Sequence, residues 1–92
     1  MYTRRTTVIN PSGLHARPAS EFVETAKRYA SALTVRNLSD ENGQAVNAKS
    51  ILRVLSAGLA TGCAVELMGE GADETEAVDA LAALIDSGFG EL

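Results

Sequence analysis

The sequence predicts an α+β fold: an open-faced two-layer sandwich in which a four-stranded antiparallel sheet is covered on one face by three helices. Three observations lead there. Apolar residues alternate with polar ones in four short segments and recur at helical spacing in three others, in the order β-α-β-β-α-β-α. The two central strands are joined by a polar turn that ends in Asn42-Gly43, a hairpin signal. The 92 residues suffice for one domain with a single core, so the helices must share one face of the sheet. The order of strands within the sheet is left open by the pattern.

Each element has its own signature. The β-branched run Thr6-Thr7-Val8-Ile9 predicts a strand over residues 3–9, closed by the turn residues Asn10-Pro11-Ser12-Gly13. Ala19, Phe22, Val23, Ala26 and Ala30 recur at helical spacing and predict a helix over about 16–29. Leu33 and Val35 alternate with Thr34 and Arg36 as a second strand, and Gln44 to Asn47 forms a short third one. Ser50 is placed to cap a brief helix carrying Ile51, Val54 and Leu55, which Gly58 helps to end. Ile51 and either Leu55 or Val54 are its expected core residues. Cys63, Val65 and Leu67 alternate with Ala64, Glu66 and Met68 as the fourth strand, broken by Gly69 to Ala72. Asp73 or Thr75 caps the last helix, which carries Val78, Leu81, Leu84 and Ile85 on one face and fades at Ser87-Gly88.

Composition excludes several classes of function. A net charge of −4 gives no basic footprint for nucleic acid or for an acidic membrane surface. No apolar run approaches the length that spans a bilayer, and Met1 to Asn10 lacks the apolar stretch of a secretion signal. A single cysteine, Cys63, has no partner for a disulfide and no companions for a metal, which places the protein in a reducing compartment, by default the cytoplasm.

The only histidine lies in "NPSGLHARPA", residues 10–19, between a turn and the start of the first helix. At the N-cap, His15 sits beside helix amides that have no intrahelical partner, those of Ala16, Arg17 and Ala19, which can face an anion. Pro18 suits a first-turn position. Arg17 adds a planar, permanent cation matched to phosphate oxygens, and Gly13 permits the sharp approach that exposes the ring. These parts suit a nucleophilic imidazole nitrogen that takes up a phosphoryl group and passes it on. On spacing alone, however, a lone loop histidine is more often a surface residue or an incidental cap, and Arg17 a solvated helix charge. A metal site lacks further His or Cys ligands, and a Ser–His hydrolase lacks its elbow motif.

Gly13-Leu14-His15-Ala16-Arg17-Pro18-Ala19 resembles the phosphorylation-site motif of HPr, the histidine-containing phosphocarriers of the bacterial sugar phosphotransferase system. Val46-Asn47-Ala48-Lys49-Ser50-Ile51-Leu52, followed by Val54-Leu55-Ser56-Ala57-Gly58, resembles that family's regulatory-serine segment, and the likeness runs over essentially the whole chain. It implies that His15 accepts a phosphoryl group from phosphorylated enzyme I and passes it to the IIA domain of a sugar permease, with Arg17 steadying the phosphohistidine. It implies a monomeric stoichiometric carrier that needs no cofactor or metal and is not an enzyme in its own right.

Ser50 reads from sequence as a helix N-cap; by resemblance it is also the target of an HPr kinase/phosphorylase, in a form read by a catabolite-control regulator. The two roles are compatible, because a phosphate at a helix N-terminus is favourably placed and still repels acidic partners. Leu52 and Leu55 are expected to leave an apolar docking patch beside His15, ringed by Arg17, Lys49 and Arg53. Two features depart from the family pattern. The hairpin at Leu38 to Gly43 is longer by about four residues, a change that loop entropy tolerates. Arg53 stands where kinase-regulated members often have a small residue. A module acting only through phospho-Ser50, and a carrier in a nitrogen-related or dihydroxyacetone-kinase relay, are the alternative expectations; the intact histidine motif counts against the first.

Overall fold

The computed structural model describes residues 1–91. Four strands and three helices alternate as β1 (Tyr2–Thr7), α1 (Ala16–Lys27), β2 (Ala32–Asn37), β3 (Val46–Asn47), α2 (Ile51–Ser56), β4 (Ala64–Glu70) and α3 (Glu74–Asp86), followed by a short 3₁₀ turn, Gly88–Gly90. The sheet is antiparallel throughout and ordered β1-β4-β2-β3. β4, last in sequence, thus lies between β1 and β2 and brings the end of the chain under its beginning.

Strand register sorts the side chains onto two faces. Arg4, Leu67 and Val35 are paired across three strands and point inward, while Arg5, Glu66 and Arg36 are paired across the open face. The inward positions of β2 and β4 pack on Phe22, Val23 and Ala26 of α1 and on Val78, Leu81 and Ile85 of α3, all buried. Burial of each such large side chain contributes roughly 1.5–3 kcal/mol. Among the described residues, no helix is long and apolar enough to cross a membrane.

Several boundaries differ from the sequence reading, each for a physical reason. Val8 leaves the β1 ladder to bond Cys63 and Gly62 in the loop before β4, so the strand ends at Thr7. β3 has only two residues, and Asn42-Gly43 is not a tight two-residue hairpin turn. The chain instead folds on itself there, with the Gly43 N–H returning to the Asp40 carbonyl at 2.9 Å. Gly69 stays in β4 and does not break it. In α2 only Val54 is buried; Ile51 and Leu55 lie on the exposed side, because six residues offer one short stripe to the sheet.

Asp73 occupies the N-cap position of α3, but its side chain makes no capping bond. Its carboxylate reaches across to the turn before β2, accepting from the Ala30 and Ser31 N–H groups at 3.0 Å each and from the Ser31 hydroxyl. The Ser31 hydroxyl foremost, then the Ala30 amide, holds the Asp73 carboxyl below its usual range. Asp79 is lowered chiefly by the hydroxyl of Tyr2, which donates to it at 2.8 Å and is itself raised in consequence. Both carboxyls titrate lower in the folded protein than in the unfolded chain. Their stabilisation is therefore complete above about pH 4 and is lost as pH falls through the folded-state values. Asp73→Asn is expected to lower stability at neutral pH and to flatten its decline below about pH 4, measured as urea midpoints across the acid range. An unchanged acid slope would show that Asp73 does not contribute.

Candidate functional site

The site is built where three segments meet: the turn after β1, the first residues of α1 and the loop after α2. The Leu14 N–H donates to the Leu59 carbonyl at 2.8 Å, and the Leu14 side chain is buried beneath it. Gly13 takes φ +62°, and a Cβ there would lie 2.8 Å from the Leu59 oxygen and 2.9 Å from Ala60 Cα. No larger residue fits between these backbones without displacing one of them. With Leu14 fixed inward, the next side chain, His15, turns out to solvent.

His15 is the N-cap of α1, in extended conformation (φ −128°, ψ 161°), and its ring makes no capping hydrogen bond. The imidazole nitrogens are thus not committed to the helix end, unlike the oxygen of a Ser or Asp cap. Ala16 follows with φ +50°, a left-handed conformation that L-residues other than Asn and Asp rarely adopt. The strain, of order 1–3 kcal/mol, sits directly beside the histidine. The amides of Ala16 and Arg17 belong to the first turn, where the helix supplies no acceptor.

Arg17 does not reach back to the ring. Its Nη1 donates to Glu21 Oε1 at 3.0 Å, one turn along the helix, and the side chain is two-thirds exposed. Glu91 is a second acidic neighbour that the sequence did not reveal. Its carboxylate accepts from Asn10 Nδ2 (3.0 Å), Ser12 Oγ (3.0 Å) and Ser12 N–H (3.3 Å), closing the turn before His15 from below. The Asn10 amide foremost holds its carboxyl below the usual range, with the Ser12 bonds and the charge of Arg17 adding to it. Asn10 is itself fully buried and donates also to the Gly13 carbonyl at 2.9 Å. An Asn at the head of a turn is a local signal; a glutamate 81 residues away is not.

α2 lies beside α1 with the end of its sequence toward His15, because Leu59 holds Leu14. Ser50 caps its first turn, its Oγ accepting from the Arg53 N–H at 3.4 Å. Leu52 is 76% exposed, and Ile51 and Leu55 are exposed beside it, with Arg53 on the same short helix. Lys49 departs from the expected ring around His15. Its Nζ donates to the Tyr29 carbonyl at 2.7 Å, past the far end of α1, a helix of 12 residues and so about 18 Å long. Ser50 stands at that same distal end.

An exposed imidazole thus stands at a helix terminus of an open-faced sandwich, and the class of such a domain, a small phosphocarrier, comes from comparison with known proteins. A family model described as "PTS HPr component phosphorylation site" matches residues 2–87. The chain is 42% identical over 91 residues to the phosphocarrier protein HPr of Cupriavidus necator, covering 99% of this chain and 98% of that one. It is 38% identical over 82 residues to the multiphosphoryl transfer protein of Haemophilus influenzae, covering 89% of this chain but only 16% of that longer protein. A crystal structure of HPr-C-His from Thermoanaerobacter tengcongensis superposes with a TM-score of 0.91 at 43% identity, covering 100% of this chain and 99% of that one. The chain belongs to the HPr family, the phosphocarriers of the phosphotransferase system.

The left-handed Ala16 yields a direct test. In a helix, Ala→Gly ordinarily costs about 0.5–1 kcal/mol. Ala83→Gly, on the exposed side of α3, is expected to show that loss in urea unfolding. Ala16→Gly is expected to show none, and up to about 1 kcal/mol of gain, because glycine relieves the strain. Equal losses at the two positions would contradict a strained Ala16.

Proposed function

We propose that His15 is the phosphoryl acceptor, taking the group from phosphorylated enzyme I and handing it to the IIA domains of sugar permeases, as a monomeric, cytoplasmic, stoichiometric carrier. The observation that carries this reading is the exposed ring of His15 at the N-cap of α1, free of any capping bond. A lone pair on neutral imidazole attacks the donor's phosphorus. One P–N bond forms on His15 as the bond to the donor breaks, and the same exchange toward IIA regenerates the free ring.

The dianion so formed meets the first-turn amides of Ala16 and Arg17 and the positive end of α1, worth about 0.3–1 kcal/mol. Arg17 then turns from Glu21 to the phosphate. The rearrangement is cheap, because an exposed ion pair is worth only about 0–1 kcal/mol, less than a charge-assisted bond to a doubly charged group. Pairing with Glu21 in the free state keeps the guanidinium on the first turns of α1, near the site.

Docking uses the exposed residues of α2, Leu52 and Leu55 with Ile51, and the cation of Arg53. Lys49 contributes at the distal end of that surface, away from His15. Ser50 is the regulatory position, modified by an HPr kinase/phosphorylase where one is present and read by a catabolite-control regulator. Its place at the far end of α2 means that a phosphate there acts on the docking surface by repelling acidic partners, and not on the imidazole itself.

Incubation with phosphoenolpyruvate and enzyme I is expected to add one phosphate to the protein, detected as an acid-labile mass gain that disappears in His15→Ala. A protein that gains no mass, or gains it equally in His15→Ala, contradicts this assignment.

A further inference from the structure

The loop between β2 and β3 is longer than the sheet needs, yet it is not slack. Asn37, buried at the end of β2, donates its Nδ2 hydrogens to the Ala57 and Gly58 carbonyls at 3.2 Å each and accepts the Ser39 N–H on Oδ1 at 2.9 Å. Ser39 Oγ accepts the Ala64 N–H at 3.0 Å. The Asp40 carboxylate accepts the Asn42 N–H at 2.9 Å, and Gly43 lies so close to Asn37 that a Cβ would stand 2.3 Å from its carbonyl oxygen. The loop is therefore fastened to β4 on one side and to the last turn of α2 on the other.

Between this loop and α2 lies a cleft of about 210 Å³, lined among others by Asp40, Asn42, Gln44, Val46 and Ser56. Small-molecule pockets run to roughly 300–1,000 Å³, so the space suits one long side chain better than a whole ligand. Its lining residues carry oxygen acceptors in the Asp40 carboxylate, the Asn42 and Gln44 amides and the Ser56 hydroxyl, which donates its own proton to the Arg53 carbonyl at 2.9 Å. No lysine or arginine lines it. Arg36 reaches the loop but gives its Nε to the Gly43 carbonyl at 3.1 Å, and among the described residues neither Asp40 nor Glu41 is in an ion pair. The cleft borders the C-terminal end of α2, where Ser56 and Ala57 line it.

We propose that this cleft receives one basic side chain, an arginine or lysine, from the phosphotransfer partner that docks on α2, and so selects among partners. The inference rests on the carrier reading above. Exposed Leu52 and Leu55 with the cations Arg17 and Arg53 require a partner surface that is apolar and acidic. A basic residue at the rim of that surface meets Asp40 and fixes its register. A charge pair at an interface rim acts mainly on association rate and its salt dependence.

The test measures the second-order rate of phosphoryl transfer from the source organism's own phospho-enzyme I, and onward to its IIA domain, at low and high ionic strength. Asp40→Lys is expected to slow at least one of these transfers about tenfold at low salt and much less at high salt, with Asp40→Asn intermediate. The urea midpoint of Asp40→Asn, whose amide oxygen still accepts the Asn42 N–H, should match that of the parent, so a slowing seen in both variants is not a loss of folding. Unchanged rates with both partners, or a loss that does not depend on salt, overturn the proposal while leaving the carrier role intact. A parent chain that takes up no phosphate overturns both. Saturable perturbation of the amide resonances of residues 37–44 by spermidine or magnesium alone would assign the cleft to a free cation and also overturn it.

Discussion

One backbone hydrogen bond organises the functional end of this molecule. The Leu14 N–H donates to the Leu59 carbonyl, with Gly13 pressed against Leu59 and Ala60 at a distance that admits no side chain. That contact joins the turn after β1 to the loop after α2, segments more than forty residues apart in sequence. It buries Leu14, and in doing so it turns His15 outward at the head of α1. It also sets the loop after α2 against the turn that carries the histidine. Without it, α1 could still pack on the sheet through Phe22 and Val23, but nothing would fix which way its first residue faces.

Around this junction the charges are held in reserve. Arg17 is paired with Glu21, and the turn before His15 is closed by Glu91 through Asn10 and Ser12. The Arg17–Glu21 pair is exposed and so individually weak, whereas the Glu91 bond to Asn10 is partly buried. The strain at Ala16 is local and is held by the packing of Leu14 on one side and Pro18 and Ala19 on the other, all buried. On the function proposed above, the carrier needs little machinery of its own: an accessible nitrogen, a few amides and a cation within reach. The partners supply the rest of the chemistry.

Much of the fold was legible in the sequence because its patterning is local. The helical spacing of Phe22, Val23 and Ala26, the alternation around Val65 and Leu67, and Ser50 as an N-cap each follow from neighbours within a few residues. The strand order, with β4 between β1 and β2, carries no local signal, since it depends on which apolar faces meet. The extent of β3 was overestimated for a related reason. Asn42-Gly43 looks like a tight turn, but Asn37, bound to the end of α2, draws the chain into a wider loop. The exposed N-cap position of His15 was legible from the sequence, whereas the left-handed Ala16, the Glu21 pairing of Arg17, the distal position of Lys49 and the contact of Glu91 were not. Each of these depends on a backbone angle or a long-range neighbour that no spacing encodes.

The claim that the Gly13–Leu59 contact presents His15 is tested most directly by Gly13→Ala. The added methyl at φ +62° meets the Leu59 oxygen at 2.8 Å, and the strain of a left-handed alanine adds to the overlap. The measurement is the rate of phosphoryl uptake by His15 from phospho-enzyme I, with hydrogen exchange of the Leu14 amide followed in the same variant. The account predicts a protein that keeps its sheet and helices by circular dichroism, loses protection at Leu14 and takes up phosphate at least about tenfold more slowly, the size of loss expected when a reacting group is displaced by a fraction of an ångström to an ångström. A variant with parental uptake and a still-protected Leu14 amide would contradict it.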